Sequence, residues 1–203
     1  MKDMFAPLRD KPCYTNIGVI IMTNKQVRTR RDIIQALREL LNTTPFENIT
    51  TKQICTTALV HHSTFYRYFT DKYDLLSALI TELCAQFDGK MSEATAMAER
   101  ISLIVQSNRV IFKNITASHA MYYELIQIIS KLLRESAQNT PAANDDILIK
   151  LIKNSPHPEI ASYSFAGMLV GVLVKWTEDP STAQPARLKQ FIEDVLNDLS
   201  NLA

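Results

Sequence analysis

The chain has 203 residues, of which 46% are hydrophobic and 21% charged, and its formal net charge is +1 at pH 7. These values are typical of a globular protein that can bury a core. Its four glycines and eight prolines disfavour a sheet with many turns and favour long helices with short connections. A net charge this close to zero neither implies nor excludes nucleic acid as a partner.

The cysteines and the apolar runs argue against two other classes of protein. The three cysteines, Cys13, Cys55 and Cys84, are odd in number and form no C-x-x-C pair. We therefore predict neither a disulfide framework nor a zinc site, and we expect the protein to be cytoplasmic. Cys55 and Cys84 fall within apolar helical patterns, which predicts small buried side chains. The longest apolar run, 160–176, contains two serines, and we expect no membrane helix.

Residues 1–22 are expected to lie outside the folded domains. They contain Pro7, Pro12 and Gly18 and show no helical period. Met22 stands directly before the first patterned helix. Two interpretations remain open: translation naturally starts at Met22, or the preceding residues form a disordered arm.

The first amphipathic helix is predicted over residues 25–42. Four basic residues lie within seven positions at its start, which is consistent with a phosphate contact, Arg28 included, or with a solvated helix end. Its buried stripe comprises Ile33, Ile34, Leu37, Leu40 and Leu41.

Two short helices follow. Thr50 and Gln53 match a capping box at the start of the second helix. After a break at 59–61, a third helix is predicted from His62 to Phe69, with Phe65 and Phe69 as buried anchors. Two short helices separated by about three residues form a helix-turn-helix. Asp71 is the predicted cap of a fourth helix, whose buried stripe is Leu75, Leu76, Leu79 and Leu83.

Longer helices are predicted in the second half, over 92–113, 118–138, 143–153, 157–177 and 185–201. The 157–177 helix is apolar on nearly all sides and contains a G-x-x-x-G pattern, which allows close packing within the core or across a dimer seam. The predicted dimer interface comprises Gly167, Val170, Gly171, Val174, Phe191 and Val195.

The segments 49–54 and 63–76 resemble the signature of TetR-type transcriptional regulators. The similarity lies in a Thr-Phe-Tyr-x-x-Phe core at 64–69, followed by Lys72 and by the Asp-Leu-Leu run at 74–76. The close resemblance covers about residues 27–87. It implies an all-α protein with a helix-turn-helix DNA-binding domain over 23–88 and a helical effector-binding and dimerisation bundle over 89–203.

The resemblance also implies roles for individual residues. Thr50 and Thr51 correspond to phosphate contacts, and His61, His62 and Ser63 to the base-facing start of the recognition helix. Further DNA contacts are implied at Thr64, Tyr66, Tyr68 and Lys72. The sequence departs from the family at Leu59, where glycine is usual, and at His61, where a small capping residue is usual. Leu59 implies either a turn without positive φ or some strain.

The resemblance further implies an effector cavity, although each of its candidate residues is otherwise read as ordinary core. The candidates are Met97, Phe112, Met121, Tyr122, Phe165 and Met168. Adjacent histidines on a helix point about 100° apart, so no metal is expected at His61 and His62. No catalytic motif or phosphate-binding loop occurs, and no cofactor is expected.

The resulting prediction is a homodimeric regulator that binds a palindromic operator in double-stranded DNA. We expect it to be a repressor that an unknown small molecule releases. Control by a protein partner is the first alternative. An enzyme built on a helical bundle is the second, and no constellation of residues supports it.

Overall fold

The computed structural model describes residues 23–88, 97–139 and 147–178, together with positions 190, 191, 194, 195 and 198. All regular structure in these ranges is helical, which confirms the predicted fold class. The helices are α1 (Asn24–Leu40), α2 (Thr51–Thr57), α3 (His62–Tyr68), α4 (Lys72–Asp88), α5 (Met97–Ser107), α6 (Arg109–Ile115), α7 (Ala120–Asn139), α8 (Ile147–Asn154) and α9 (Pro158–Glu178), with a 3₁₀ turn at Phe46–Asn48. The predicted extension 1–22 and most of the predicted helix 185–201 lie outside the described residues.

The start of α1 is a capping box that the sequence analysis missed. The Thr23 hydroxyl accepts the Gln26 N–H at 3.4 Å, and the Gln26 side chain accepts the Thr23 N–H at 2.8 Å. Because a capping box satisfies two of the amides that a helix start leaves unpaired, it fixes where α1 begins. The predicted stripe of α1 is buried, except that Leu40 is only partly covered.

The predicted helix 92–113 is wrong, because the chain breaks at Asn108 into α5 and α6. Asn108 is buried and has φ −123° and ψ 29°, outside the helical region. Its side-chain amide donates to the Ile104 carbonyl at 2.9 Å and accepts from Arg38 of α1 at 3.3 Å. An asparagine that bonds to nearby backbone competes with the helical ladder, which explains the break.

The core consists of two adjoining hydrophobic clusters. The first joins α1–α4 to α5, α6, the first half of α7 and the C-terminal part of α9, and the second lies between the end of α7, α8 and the middle of α9. The helix α4 packs against α1 on one side and against α5 and α7 on the other. The N-terminal half and the C-terminal bundle therefore share α4 and a continuous core.

One long side of α9 has no neighbour within the described part of the chain. A Cβ built on Gly167 or Gly171 would meet no atom within 4 Å, so these glycines do not serve close packing against the other described helices. Val170 does not fit the predicted dimer interface, because it is buried in the first cluster with only 2% of its surface exposed. Val174 and Val195 are half-buried, and Phe191 is exposed.

Among the described helices, α9 is long and apolar enough by length and composition to cross a membrane. However, α6, α7 and α8 pack along its other side. A core helix of a bundle passes the same test, and we make no membrane assignment from it.

Candidate nucleic-acid interface

The pair α2–α3 is fixed by caps and by two buried rings. Thr50 and Gln53 form the predicted capping box, with bonds of 3.2 and 2.8 Å between side chains and backbone amides. Phe65 and Phe69 are buried with ring centroids 5.9 Å apart, as predicted. Burial of each ring stabilises the domain by about 2 kcal/mol or more, and it leaves the opposite side of α3 facing solvent.

The solvent-facing surface of α2 and α3 contains no carboxylate. Between Glu47 and Asp71 the sequence has no acidic residue but has two cations, Lys52 and Arg67, and both are exposed. The sequence analysis did not select these two, although their position within the two short helices could have identified them. An acid-free surface with exposed cations is suited to a polyanion such as DNA.

The start of α3 presents the predicted base-facing residues to solvent. His61, His62 and Ser63 are exposed, and the ring of His62 meets the exposed Tyr66 edge-on at 4.9 Å. His61 occupies the N-cap position without a side-chain cap bond, so its imidazole is not used to cap the start of α3. These side chains share the outer face of α3 and offer ring N–H and hydroxyl groups for hydrogen bonds.

Other predicted contacts are less accessible. Thr64 and Tyr68 are half-buried, and the Arg67 guanidinium lies over the Tyr68 ring at 5.2 Å. The Thr50 hydroxyl donates to Gln53 at 2.8 Å, so its proton is used in the cap. Arg28 lies on α1, where its exposed side chain approaches Asp32 at 4.0 Å.

Arg30 links α1 to the recognition helix. Its guanidinium lies 5.2 Å from the centroid of the Phe69 ring and 3.9 Å from the Glu82 carboxylate of α4. Burial raises the pKa of Glu82, and the nearby arginines, Arg30 first, oppose that rise. The contact orients the end of α3 through a cation–π interaction, typically about 0.5–1 kcal/mol at exposed sites.

Lys72 is turned into the protein, contrary to the expectation of a phosphate contact. Its ammonium donates to the carbonyls of Phe46, Glu47 and Ile49 at 3.1, 3.1 and 3.0 Å, and lies 4.7 Å from the centroid of the Phe46 ring. Burial lowers the pKa of Lys72, and Glu47 partly offsets this. Since an ammonium has three N–H donors, none remains for a phosphate in this arrangement.

The turn between α2 and α3 is strained at Leu59, which was one of the two possibilities that the sequence left open; the other was a turn without positive φ. Leu59 has φ 56°, and the Val60 N–H donates across it to the Cys55 carbonyl at 3.0 Å. This six-to-one bond is the Schellman closure of a helix, which requires a left-handed residue at the position of Leu59. Cys55 itself is buried, as predicted, and burial raises the pKa of its thiol.

A family comparison identifies this unit. The model of the bacterial regulatory proteins of the tetR family matches residues 33–79, from α1 into α4. The match covers the helix-turn-helix unit, which is therefore a DNA-binding domain of the tetR type. The chain is therefore a DNA-binding transcriptional regulator, and α3 occupies the place of the second helix of a helix-turn-helix.

Several solved structures of regulators match this chain at low identity. The dihydroxyacetone kinase operon activator DhaS is 15% identical, with a TM-score of 0.49 over 87% of this chain and 98% of that one. The TetR family repressor AlkX from Dietzia sp. strain DQ12-45-1b is 16% identical, with a TM-score of 0.45 over 83% and 95%. NalD, the secondary repressor of the MexAB-OprM efflux pump of Pseudomonas aeruginosa, is 17% identical, with a TM-score of 0.44 over 85% and 96%. No curated protein matches this chain by sequence.

The residues predicted for the effector cavity do not line one cavity. Phe112 and Met121 are buried in the first cluster, and Tyr122 packs against it. Phe165 and Met168 instead border a cavity of about 370 Å³ beside α8. The side chain of Met97 lies outside the described part of the structure.

A larger cavity, of about 550 Å³, lies between α4, α7 and α9. Its lining is mixed apolar and polar, and includes Ser77, Gln127, Ile128, Ser130, Lys131, Arg134, Glu159, Ile160 and Tyr163. The Ser130 and Ser162 hydroxyls bond to each other at 3.2 Å in the buried layer beside it. Within the described ranges, no group of three or more His, Cys, Asp or Glu residues could hold a metal ion.

Proposed function

We propose that this regulator acts in the cytoplasm as a homodimeric repressor that binds a palindromic operator and is released by an effector. The observation that carries the proposal is the exposed, acid-free surface of α2 and α3. In a helix-turn-helix the second helix enters the major groove, where each base pair presents a distinct pattern of donors and acceptors. The exposed start of α3 is the part that enters first.

Within this proposal His61, His62 and Ser63 face base edges, because they lie at the exposed start of α3. Thr51, Tyr66, Lys52 and Arg67 are assigned to phosphates, and Thr50, Thr64, Tyr68 and Arg28 remain secondary candidates. Phosphate contacts set affinity and its dependence on salt, whereas base contacts set the preferred sequence. The two groups therefore make separable predictions.

The test begins with a duplex that the purified protein selects from a random-sequence DNA library. Arg67→Gln should weaken binding to the selected duplex and to unrelated DNA alike, and should reduce the log–log salt slope by about one. Lys113→Gln, which removes an exposed cation from α6, is the matched control. Failure of the wild-type protein to enrich any sequence would contradict the proposed function.

The cavity between α4, α7 and α9 is the proposed effector site. Arg134 lines it, is half-buried, and has no carboxylate partner among the described residues. Lys131 also lines it but approaches Glu135 at 4.0 Å. A guanidinium without a partner favours a carboxylate or phosphate, and the size suits a small organic molecule. We therefore propose an organic anion with an apolar body as the effector.

A straight-chain carboxylate series tests this assignment, with the alcohols of equal length as neutral controls. A carboxylate that binds should raise the unfolding midpoint, and Arg134→Gln should abolish the rise. Release of DNA by the same carboxylate would support effector control. A protein partner would be favoured instead if DNA binding responded to a cell extract only through its protein fraction. An enzymatic function finds no catalytic constellation in the described residues.

A further inference from the structure

Leu59 combines an unfavourable backbone conformation with almost complete exposure. It is the one residue other than glycine with positive φ in the described ranges, and its side chain is 92% exposed. A branched side chain in the left-handed region clashes with its own backbone, and glycine or asparagine avoids much of that cost. The exposed side chain gains no packing in the free protein that would offset it.

The turn explains why this position is left-handed, but not why it carries leucine. The bond from Val60 to the Cys55 carbonyl needs only the backbone, and glycine is the usual residue at this place in a Schellman motif. Strained residues that persist are concentrated at functional sites, where they act on a ligand. What the leucine contributes must therefore lie outside the described protomer.

The position of Leu59 limits what it can touch. It lies two residues before His61, so the Cα atoms are at most roughly 7 Å apart, and His61 and His62 are exposed at the end of α3 that enters the groove. The neighbouring surface is polar and free of carboxylates. The apolar group that the major groove presents to such a side chain is the C5-methyl of thymine.

We infer that Leu59 is a specificity residue that contacts a thymine methyl at one base step of each half-site. The inference rests on the proposed entry of α3 into the major groove, and it adds an apolar contact to the polar ones assigned there. Leucine at a strained position then gives sequence preference at the expense of stability. Glycine there would leave the thymine methyl without a contact.

The experiment is a double-mutant cycle across the interface. The probe is the duplex selected by the wild-type protein, in which thymines are replaced one at a time by deoxyuracil, which lacks the methyl group. At one position per half-site, deoxyuracil should weaken wild-type binding about fivefold, the ratio expected for one buried methyl group. Leu59→Ala should weaken binding to the thymine duplex by a similar factor and be insensitive to that replacement.

Folding is controlled separately. Because the leucine side chain is exposed, Leu59→Ala should leave the unfolding midpoint within about 2 °C of the wild type. Leu59→Gly relieves the left-handed strain and should raise the midpoint while also losing the thymine preference. Val110→Ala, at a half-exposed residue of α6, should leave both affinity and thymine preference unchanged.

Two results would overturn the inference. One is a Leu59→Ala protein that remains as sensitive to every deoxyuracil as the wild type. The other is an equal loss of affinity on all sequences, which would place Leu59 against the sugar–phosphate backbone. A wild-type protein that selects no sequence would contradict the proposed function instead.

Discussion

Lys72 stabilises the segment that leads into the helix-turn-helix. Three backbone carbonyls of the 3₁₀ turn and its end converge on one ammonium, and the rings of Phe46 and Tyr73 lie 4.7 and 5.8 Å from it. The carbonyl dipoles and the rings compensate the desolvation that lowers its pKa. The side chain thereby ties the first turn of α4 to the segment between α1 and α2.

Lys72→Met should therefore act on stability. The methionine keeps most of the stem but leaves three carbonyls without their donor, and we expect a loss of about 1–2 kcal/mol in the free energy of unfolding. Urea unfolding measures this, and Lys113→Met on α6 provides the matched control. A phosphate contact would instead leave stability unchanged and reduce the log–log salt slope by about one.

His62→Ala should change which DNA the protein prefers. An exposed imidazole can make one hydrogen bond to a base edge, so the loss should be about 1 kcal/mol at one or two base pairs per half-site. Repeating the DNA selection with the variant measures the change. His119→Ala, at an exposed histidine before α7, should select the wild-type sequence, and an unchanged sequence for His62→Ala would remove His62 from the base contacts.

Residue identity alone predicted the anchors of the site better than its exposed contacts. Phe65, Phe69 and the capping box follow from spacing, because burial and capping depend on local sequence. The orientation of Lys72 does not, since its partners lie more than twenty positions away along the chain. Lys52 and Arg67 were not predicted as DNA contacts because they are not among the positions to which the resemblance assigns that role.

At the scale of elements, α6 carries the polar contacts that join the two halves in the described structure. The Asn114 side chain at its end donates to the Leu41 carbonyl of α1 at 2.8 Å. Arg38 reaches Asn108 at its start, and the Ser118 hydroxyl just beyond it donates to Glu47 of the 3₁₀ turn. A shift of α6 would thus displace both ends of the segment between α1 and α2, which positions α2.

Asn114→Ala should weaken DNA binding although Asn114 lies outside the interface. The change removes the donor to the Leu41 carbonyl, lowers stability by about 1 kcal/mol, and leaves the DNA-binding helices less firmly held. Residues that couple two sites typically change affinity by 0.5–2 kcal/mol, roughly twofold to thirtyfold. Asn154→Ala at the exposed end of α8 is the control, and equal affinities for the two variants would make the α6 contacts purely structural.

The order of elements could be predicted from the sequence, but their breaks and partners could not. Apolar periodicity identified α1, α4, α7, α8 and α9 because each buries a continuous stripe. The break at Asn108 escaped it, since the tertiary bond to Arg38 favours a local conformation that periodicity does not record. The effector candidates could not be chosen from the sequence for a similar reason: apolar side chains in a bundle fill the core, as Phe112 and Met121 do, as readily as they border a cavity, as Phe165 and Met168 do.

At the scale of the whole molecule, the uncovered side of α9 is the feature that a second subunit explains best. Gly171 is exposed, and both Gly167 and Gly171 have open space in front of them. A two-fold axis along this side would bury it as a helix-to-helix seam. The same axis would set two recognition helices about one turn of DNA, roughly 34 Å, apart.

Gly171→Leu separates the dimer seam from the fold of the protomer. A Cβ at this position meets nothing within 4 Å, and leucine is a better helix former than glycine by about 1 kcal/mol, so the protomer should remain folded. Against a second α9, however, the larger side chain would prevent close approach. Sedimentation at micromolar concentration should show the wild type at twice 23.0 kDa and the variant at the mass of one chain.

DNA binding supplies the second readout for this variant. Loss of the second subunit's linked DNA-binding domain should lower affinity for the full palindrome by about a hundredfold while leaving affinity for a single half-site unchanged. Gln106→Leu, which adds the same side chain at an exposed position of α5, should remain dimeric. A Gly171→Leu protein that still sediments as a dimer would show that the dimer seam lies elsewhere. A monomeric wild type would contradict the proposed two-fold dimer.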